Sequence, residues 1–144
     1  MLTLPKGHQI HRFLQRHRPR IPGRLRLDAQ PAIEYYIIES HADLAPNEPW
    51  TSKGNFTTEE GDYEVFSSAR VNKPSIGGTR TFQQFWSVRK EKRVGGTVTT
   101  KTHFDQWSKF GMKLGGHDCA IMATEGYTAT GGPGSSGSCT ITLQ

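Results

Sequence analysis

Short runs rich in Tyr, Ile, Val, Thr and Phe, closed off by Gly, Pro, Asn or Ser, recur along this chain of 144 residues. β-Branched and aromatic residues fit a pleated, half-buried surface, and the turn residues between runs set their length. The pattern predicts strands near Ile33–Ser40, Asp62–Val71, Thr81–Arg89, Gly95–Thr100, Cys119–Thr124 and Cys139–Leu143. One helix interrupts them: Thr102 can cap it, and Phe104, Trp107, Phe110 and Leu114 follow at three- to four-residue spacing, so one stripe packs on the sheet. Between the second and third strands, Asn72 to Thr79 is turn chemistry, in which Pro74 restricts the backbone and Gly77-Gly78 permits a reversal. Sixteen Gly and a mean hydropathy of −0.62 suit an antiparallel sheet protein with polar faces. The length leaves room for one domain.

Two glutamates stand out within these runs. Glu34 lies in Pro-Ala-Ile-Glu-Tyr-Tyr and Glu125 in Ala-Thr-Glu-Gly-Tyr. Side chains alternate faces along a strand, so Glu34 shares a face with Tyr36 and Ile38, and Glu125 shares one with Ile121, Ala123 and Tyr127. A carboxyl group on an apolar, aromatic face is costly to keep charged, and two such groups in different surroundings can divide the work of nucleophile and proton donor. Glu39, Glu59, Glu60 and Glu64 read instead as ordinary carboxylates, exposed or salt-bridged.

Charge divides the chain at about residue 30. Residues 1–30 hold seven Lys or Arg against one acid, Asp28, whereas residues 31–144 hold eleven basic and twelve acidic residues. The high isoelectric point therefore belongs to the leader. A single aromatic residue there, Phe13, and the lack of a binding motif argue against a nucleic-acid arm and for a disordered or poorly folded segment. Leu2–Leu4 is too short for the apolar region of a signal peptide, and no stretch is long and apolar enough to span a membrane. His41, His103 and His117 are scattered and read as surface or core residues; no metal-ligand cluster or phosphate loop is visible.

From about Pro31 to its end the chain resembles glycoside hydrolase family 11, the small jelly-roll endo-1,4-beta-xylanases. The resemblance rests on PAIEYYIIES and ATEGY, on RVNKPSI at Arg70–Ile76, on TFQQFWSVRKEKRVGGTVTT at Thr81–Thr100 and on HFDQWSKFGMKLG at His103–Gly115. It implies an all-β jelly-roll sandwich of antiparallel strands with one α-helix packed on the sheet, incomplete at its N-terminal side. On this reading residues 1–30 are a basic leader outside the family pattern, a mispredicted or rearranged start, and residues 31–144 form the C-terminal part of the xylanase domain. Unpaired sheet edges left by a missing front would invite self-association.

Carried over by motif, the resemblance makes Glu34 the nucleophile and Glu125 the acid/base of a retaining mechanism, which needs carboxyls about 5 to 5.5 Å apart. It implies substrate contacts for Tyr36 beside the nucleophile, for Arg70 and Pro74 at the base and tip of a mobile thumb, for Trp86 and Phe82 along the cleft, and for Tyr127 beside the acid/base. Gln84 would position the nucleophile. The substrate implied is xylan or xylo-oligosaccharides, with no metal or organic cofactor, and the family's usual place is outside the cell. Cys119 replaces a family tyrosine six residues before the acid/base, removing a ring and a hydroxyl from the cleft wall. Cys119 and Cys139 could form one bridge or remain free thiols. Two other readings are a truncated, non-catalytic sheet protein that binds xylan through Tyr36, Arg70 and Trp86, and a basic-armed interaction protein in which the leader does the work.

Overall fold

The computed structural model describes residues 10–16, 32–41, 49–75, 78–93, 95–115 and 119–125, the first and last of these segments as backbone only. In chain order the elements are β1 (Ile10–Arg16), β2 (Ile33–Ile38), β3 (Thr51–Thr58), β4 (Gly61–Ser75), β5 (Gly78–Arg89), α1 (Thr100–Lys109) and β6 (Cys119–Glu125). They form a four-stranded sheet, β2-β5-β4-β3, and a two-stranded ribbon, β1-β6, whose first strand lies close to β2. Strand β1 sits inside the basic leader, for which composition argued disorder, and pairs antiparallel with β6 from Ile10↔Glu125 to Arg16↔Cys119. The Cys139–Leu143 strand and any bridge to Cys139 lie outside the described residues.

Pairing is antiparallel except between β2 and β5, which run parallel. That departs from the all-antiparallel expectation, and the cause is connectivity: the chain leaves β2, makes the β3–β4 hairpin, and returns along β4's partner in the direction in which β2 ran. Strand β3 was not anticipated, because Lys53, Gly54 and Asn55 disfavour strands. It forms through its ladder with β4, and a bulge at Ser52/Gly54 opens room for the helix end. Gly54 has φ +134°, and a Cβ there would stand 2.7 Å from a ring carbon of Phe110, so only glycine lets that ring close over the strand.

The expected strand at Gly95–Thr100 does not form. Gly95 and Gly96 take φ of 77° and 112°, and the segment leads without a ladder into α1. The helix also starts earlier than Thr102 suggested: Thr99 is the N-cap, and its own side chain makes no capping bond. The acceptor comes from the β3–β4 turn, where the Glu60 carboxylate takes the Thr99 N–H at 3.0 and 3.1 Å and its hydroxyl as well. A negative charge at that end also complements the helix dipole.

Alternation along β2 separates two apolar clusters on opposite faces of the sheet. Ile33, Tyr35 and Ile37 face α1 with Phe56, Tyr63, Val65, Phe85, Trp107 and Met112; Phe104, Phe110 and Leu114 pack on this cluster, so the predicted helical stripe holds. Tyr36, Ile38 and Val88 face the other way, with Trp50, Phe66 and Trp86 over them. His103 is fully buried in the helix-facing layer, edge-on to Tyr63 at 4.6 Å and to Phe56 at 5.3 Å. Burial, together with the Arg93 charge and against the opposing pull of Glu60, lowers its pKa to about 4.

A histidine harder to protonate when folded than when unfolded stabilises the fold fully above pH 6.5, and its contribution is lost as pH falls toward 4. The loss across that window is roughly 3 kcal/mol, since one pKa unit corresponds to about 1.4 kcal/mol. Urea unfolding of the wild type and of His103→Gln at pH 7, 5 and 4 checks this: the wild type is expected to lose more stability on acidification than the variant. Parallel losses would show that His103 is not the group responsible.

Candidate active site

Register across β2, β5 and β4 decides which side chains meet on the face away from the helix. Glu34 stands beside Gln84, and Gln84 beside Ser68, forming one row across three strands. The neighbouring row holds Tyr36, Trp86 and Phe66. The first row is polar and buried, with Glu34 at 7%, Gln84 at 7% and Ser68 at 5% exposure, so every polar atom in it needs a partner.

The partners are present. The Tyr36 hydroxyl donates to Glu34 Oε2 at 2.9 Å, and Gln84 Nε2 donates to the same oxygen at 2.9 Å and to the Tyr36 hydroxyl at 3.0 Å. The amide nitrogen of Gln84 thus faces both acceptors, and two donors on one oxygen hold the carboxylate in one rotamer. Behind Gln84, the Ser68 hydroxyl donates to its carbonyl Oε1 at 3.1 Å, and the Trp86 indole N–H donates to Ser68 Oγ at 3.1 Å.

Aromatic rings form a platform beside this row. Tyr36 and Trp86 stack at 3.8 Å, only 10° from parallel, while Trp50 lies 5.0 Å from Trp86 and 4.7 Å from Phe66. An orienting polar row next to an aromatic cluster suits a ring-shaped polyhydroxyl ligand, whose C–H groups pack on aromatics and whose hydroxyls need partners. Among the described residues no group of three or more His, Cys, Asp or Glu could hold a metal ion.

These observations agree with a family comparison: the model for glycosyl hydrolases of family 11 matches residues 27–141. The chain belongs to glycosyl hydrolase family 11. It is 50% identical over 114 residues to endo-1,4-beta-xylanase 4 of Pyricularia oryzae, covering 79% of this chain and 47% of the relative. It is 52% identical over 113 residues to ethylene-inducing xylanase 1 of Verticillium dahliae, covering 78% and 48%. The chain thus spans about half the length of the curated relatives it matches. A solved structure from a comparison of two major endo-1,4-beta-xylanases of Trichoderma reesei superposes with a TM-score of 0.71 at 32% identity, covering 98% of this chain and 71% of that one. The fold is therefore the family 11 jelly roll, mostly strand, with α1 packed on the sheet and, among the described residues, the sheet not closed into a barrel.

Within this family 11 fold the expected site residues divide into three groups. Glu34, Tyr36, Gln84 and Trp86 converge on one face as described, and Phe82 is buried beside them on β5, in register with Arg70. Arg70 and Pro74 lie farther along β4, which continues to Ser75 rather than ending at Val71. A bulge between Arg70 and Lys73, with Asn72 at φ 52°, bends this hairpin arm, and exposed Pro74 pairs with Thr79 near its tip. Glu125 ends β6 opposite Ile10 in the separate ribbon, its side chain outside the described residues, as is all of Tyr127.

Sequence reasoning missed three contributors. Ser68 and Trp50 had no motif to mark them, although Ser68 falls at even spacing from Arg70 on an expected strand. Glu39, read as an ordinary carboxylate, is 6% exposed at the end of β2 and anchors a buried cluster. It accepts from the Tyr63 hydroxyl at 2.8 Å and from Arg93 Nε, with Arg89 3.9 Å away. Burial first, and the Glu39 carboxylate second, push the Tyr63 phenol up to about 12.

Proposed function

We propose that this chain hydrolyses internal 1,4-beta-xylosidic linkages of xylan by a retaining double displacement, with Glu34 as nucleophile and Glu125 as acid/base. The observation that carries the proposal is the buried Glu34 carboxylate, oriented on Oε2 by Tyr36 and Gln84 beside a stacked aromatic platform. Membership of family 11 and about 50% identity to proteins named endo-1,4-beta-xylanases support the substrate.

In the first step Glu34 attacks the anomeric carbon while Glu125 gives its proton to the departing glycosidic oxygen, leaving a glycosyl ester on Glu34. In the second, Glu125 takes a proton from a water that attacks the same carbon, and Glu34 leaves with its electron pair. Two inversions give net retention. Tyr36, already hydrogen-bonded to the nucleophile, is placed to follow the charge that moves between Glu34 and the sugar. Trp86 supplies an aromatic contact for a xylose unit, and Arg70, Pro74 and Tyr127 complete the contacts along the chain. Xylose lacks the hydroxymethyl arm of glucose, so a narrow platform lined by Tyr, Trp and Gln favours xylan over cellulose. The scheme is chemically complete with two carboxyl groups and water and uses no cofactor. A polymeric substrate of this kind implies work outside the cell; no helix among the described residues is long and apolar enough to cross a membrane.

Incubating the purified chain with xylan and, separately, with cellulose tests the proposal. Reducing-sugar release from xylan well above that from cellulose is the expected result. Retention of the protein on insoluble xylan without sugar release would instead support a binding protein that does no chemistry.

A further inference from the structure

We infer that Ser68 is a positioning residue for the nucleophile, acting through Gln84; the inference rests on the reading of Glu34 as nucleophile. The indole N–H of Trp86 can only donate, so Ser68 Oγ must accept from it, and the serine hydrogen is left to point at Gln84 Oε1. Gln84 is thereby gripped at both ends: its carbonyl is held by Ser68 and its amide nitrogen by Glu34 and Tyr36. Donation into the amide carbonyl also polarises the amide and strengthens the N–H bond to the carboxylate, as in any chain of hydrogen bonds in a dry interior. The run Trp86–Ser68–Gln84–Glu34 crosses from β5 to β4, back to β5 and on to β2, tying the nucleophile to β5 and through it to β4.

Ser68 is buried, and no sugar contact is needed for the role. Removing its hydroxyl leaves a buried amide carbonyl without this donor and lets the Gln84 side chain move, so the carboxylate loses a fixed partner. The same change takes the acceptor from the Trp86 indole N–H, but that ring stays stacked on Tyr36, so ground-state binding on the platform should change little. The effect belongs in kcat rather than KM.

The test compares Ser68→Val with Ser68→Thr, two side chains of the same shape that share any steric cost and differ in the hydroxyl. Hydrolysis of xylo-oligosaccharides is measured together with solvent exchange of the Gln84 side-chain amide hydrogens by NMR. Ser68→Val is expected to lower kcat by about tenfold to a hundredfold with KM within about threefold, and to raise the amide exchange rate about tenfold, whereas Ser68→Thr stays close to wild type in both. Exchange that does not separate Val from Thr overturns the inference, and so does equal kcat for the two in an active enzyme. If the wild type proves inactive on xylan, the exchange comparison alone decides: separation keeps Ser68 as the anchor of Gln84 while the xylanase reading falls.

Discussion

Glu34→Gln is expected to reduce xylan hydrolysis by on the order of 10⁴-fold or more, because an amide cannot form the glycosyl ester on which the double displacement depends. The fold should barely notice. The substituted side chain is isosteric, and its carbonyl oxygen can still accept from the Tyr36 hydroxyl and the Gln84 amide that hold Glu34 now. Initial rates of reducing-sugar release, taken beside thermal unfolding of the same samples, separate the two effects. A variant that stays folded and keeps a tenth of the wild-type rate would remove Glu34 from the chemistry. A variant that is inactive because it is unfolded would show it in the unfolding trace. Glu125→Gln should also lose activity, but an activated substrate whose leaving group needs no proton should recover part of its first step, a rescue unavailable to Glu34→Gln.

The largest stability effect is expected at Glu39. Its carboxylate closes the far end of β2 by accepting from Tyr63 on β4 and from Arg93 in the segment after β5, and the Arg93 backbone N–H returns to the Glu39 carbonyl at 3.2 Å. Glu39→Ala would leave a guanidinium and a phenol without their acceptor inside the sheet, and breaking such a buried pair costs about 3–5 kcal/mol. The Arg93 side chain is 20% exposed and can recover some hydration, which places the expectation near the lower end. Against a total of about 5–15 kcal/mol for a typical domain, that is a large fraction. Equilibrium urea unfolding at neutral pH gives the number. A loss below about 1 kcal/mol would mean that the cluster behaves as a surface pair screened by water.

How far the sequence could be read follows from what alternation does and does not encode. Period-two patterning in Ile33–Ile38 put Glu34, Tyr36 and Ile38 on one face and Tyr35 and Ile37 on the other, and the two apolar clusters obey it. Alternation says nothing about which strand lies alongside: the parallel pairing of β2 with β5 was not anticipated, and only the resemblance to the family pointed to Gln84 as the residue that positions Glu34. Val98 and the threonines around it looked like a strand, but two glycines with positive φ turn that segment toward the helix instead. Thr102 looked like a cap because it precedes the apolar stripe; the helix begins sooner because Glu60, far away in sequence, supplies the acceptor. Strand β3 carries Lys53, Gly54 and Asn55, which only its ladder with β4 makes extended. Glu39 read as an ordinary carboxylate, exposed or salt-bridged; it is salt-bridged, but its burial was not legible because Tyr63 and Arg93, which enclose it, come from other parts of the chain. Apart from the turn at Gly95–Gly96, which is local, the missing information was a long-range partner.

Trapping the covalent intermediate tests the account most directly. In a xylobioside, fluorine at C2 slows both formation and breakdown of the glycosyl–enzyme ester by disfavouring positive charge at the anomeric carbon, and a good leaving group speeds formation alone, so the ester accumulates. Intact mass measurement followed by peptide mapping should find one fluoro-xylobiosyl group on the peptide that contains Glu34, and none on Glu34→Gln. A folded, xylan-binding wild-type protein that gains no adduct, or that carries it on any other residue, would contradict the assignment of Glu34 as the nucleophile of a retaining xylan hydrolase.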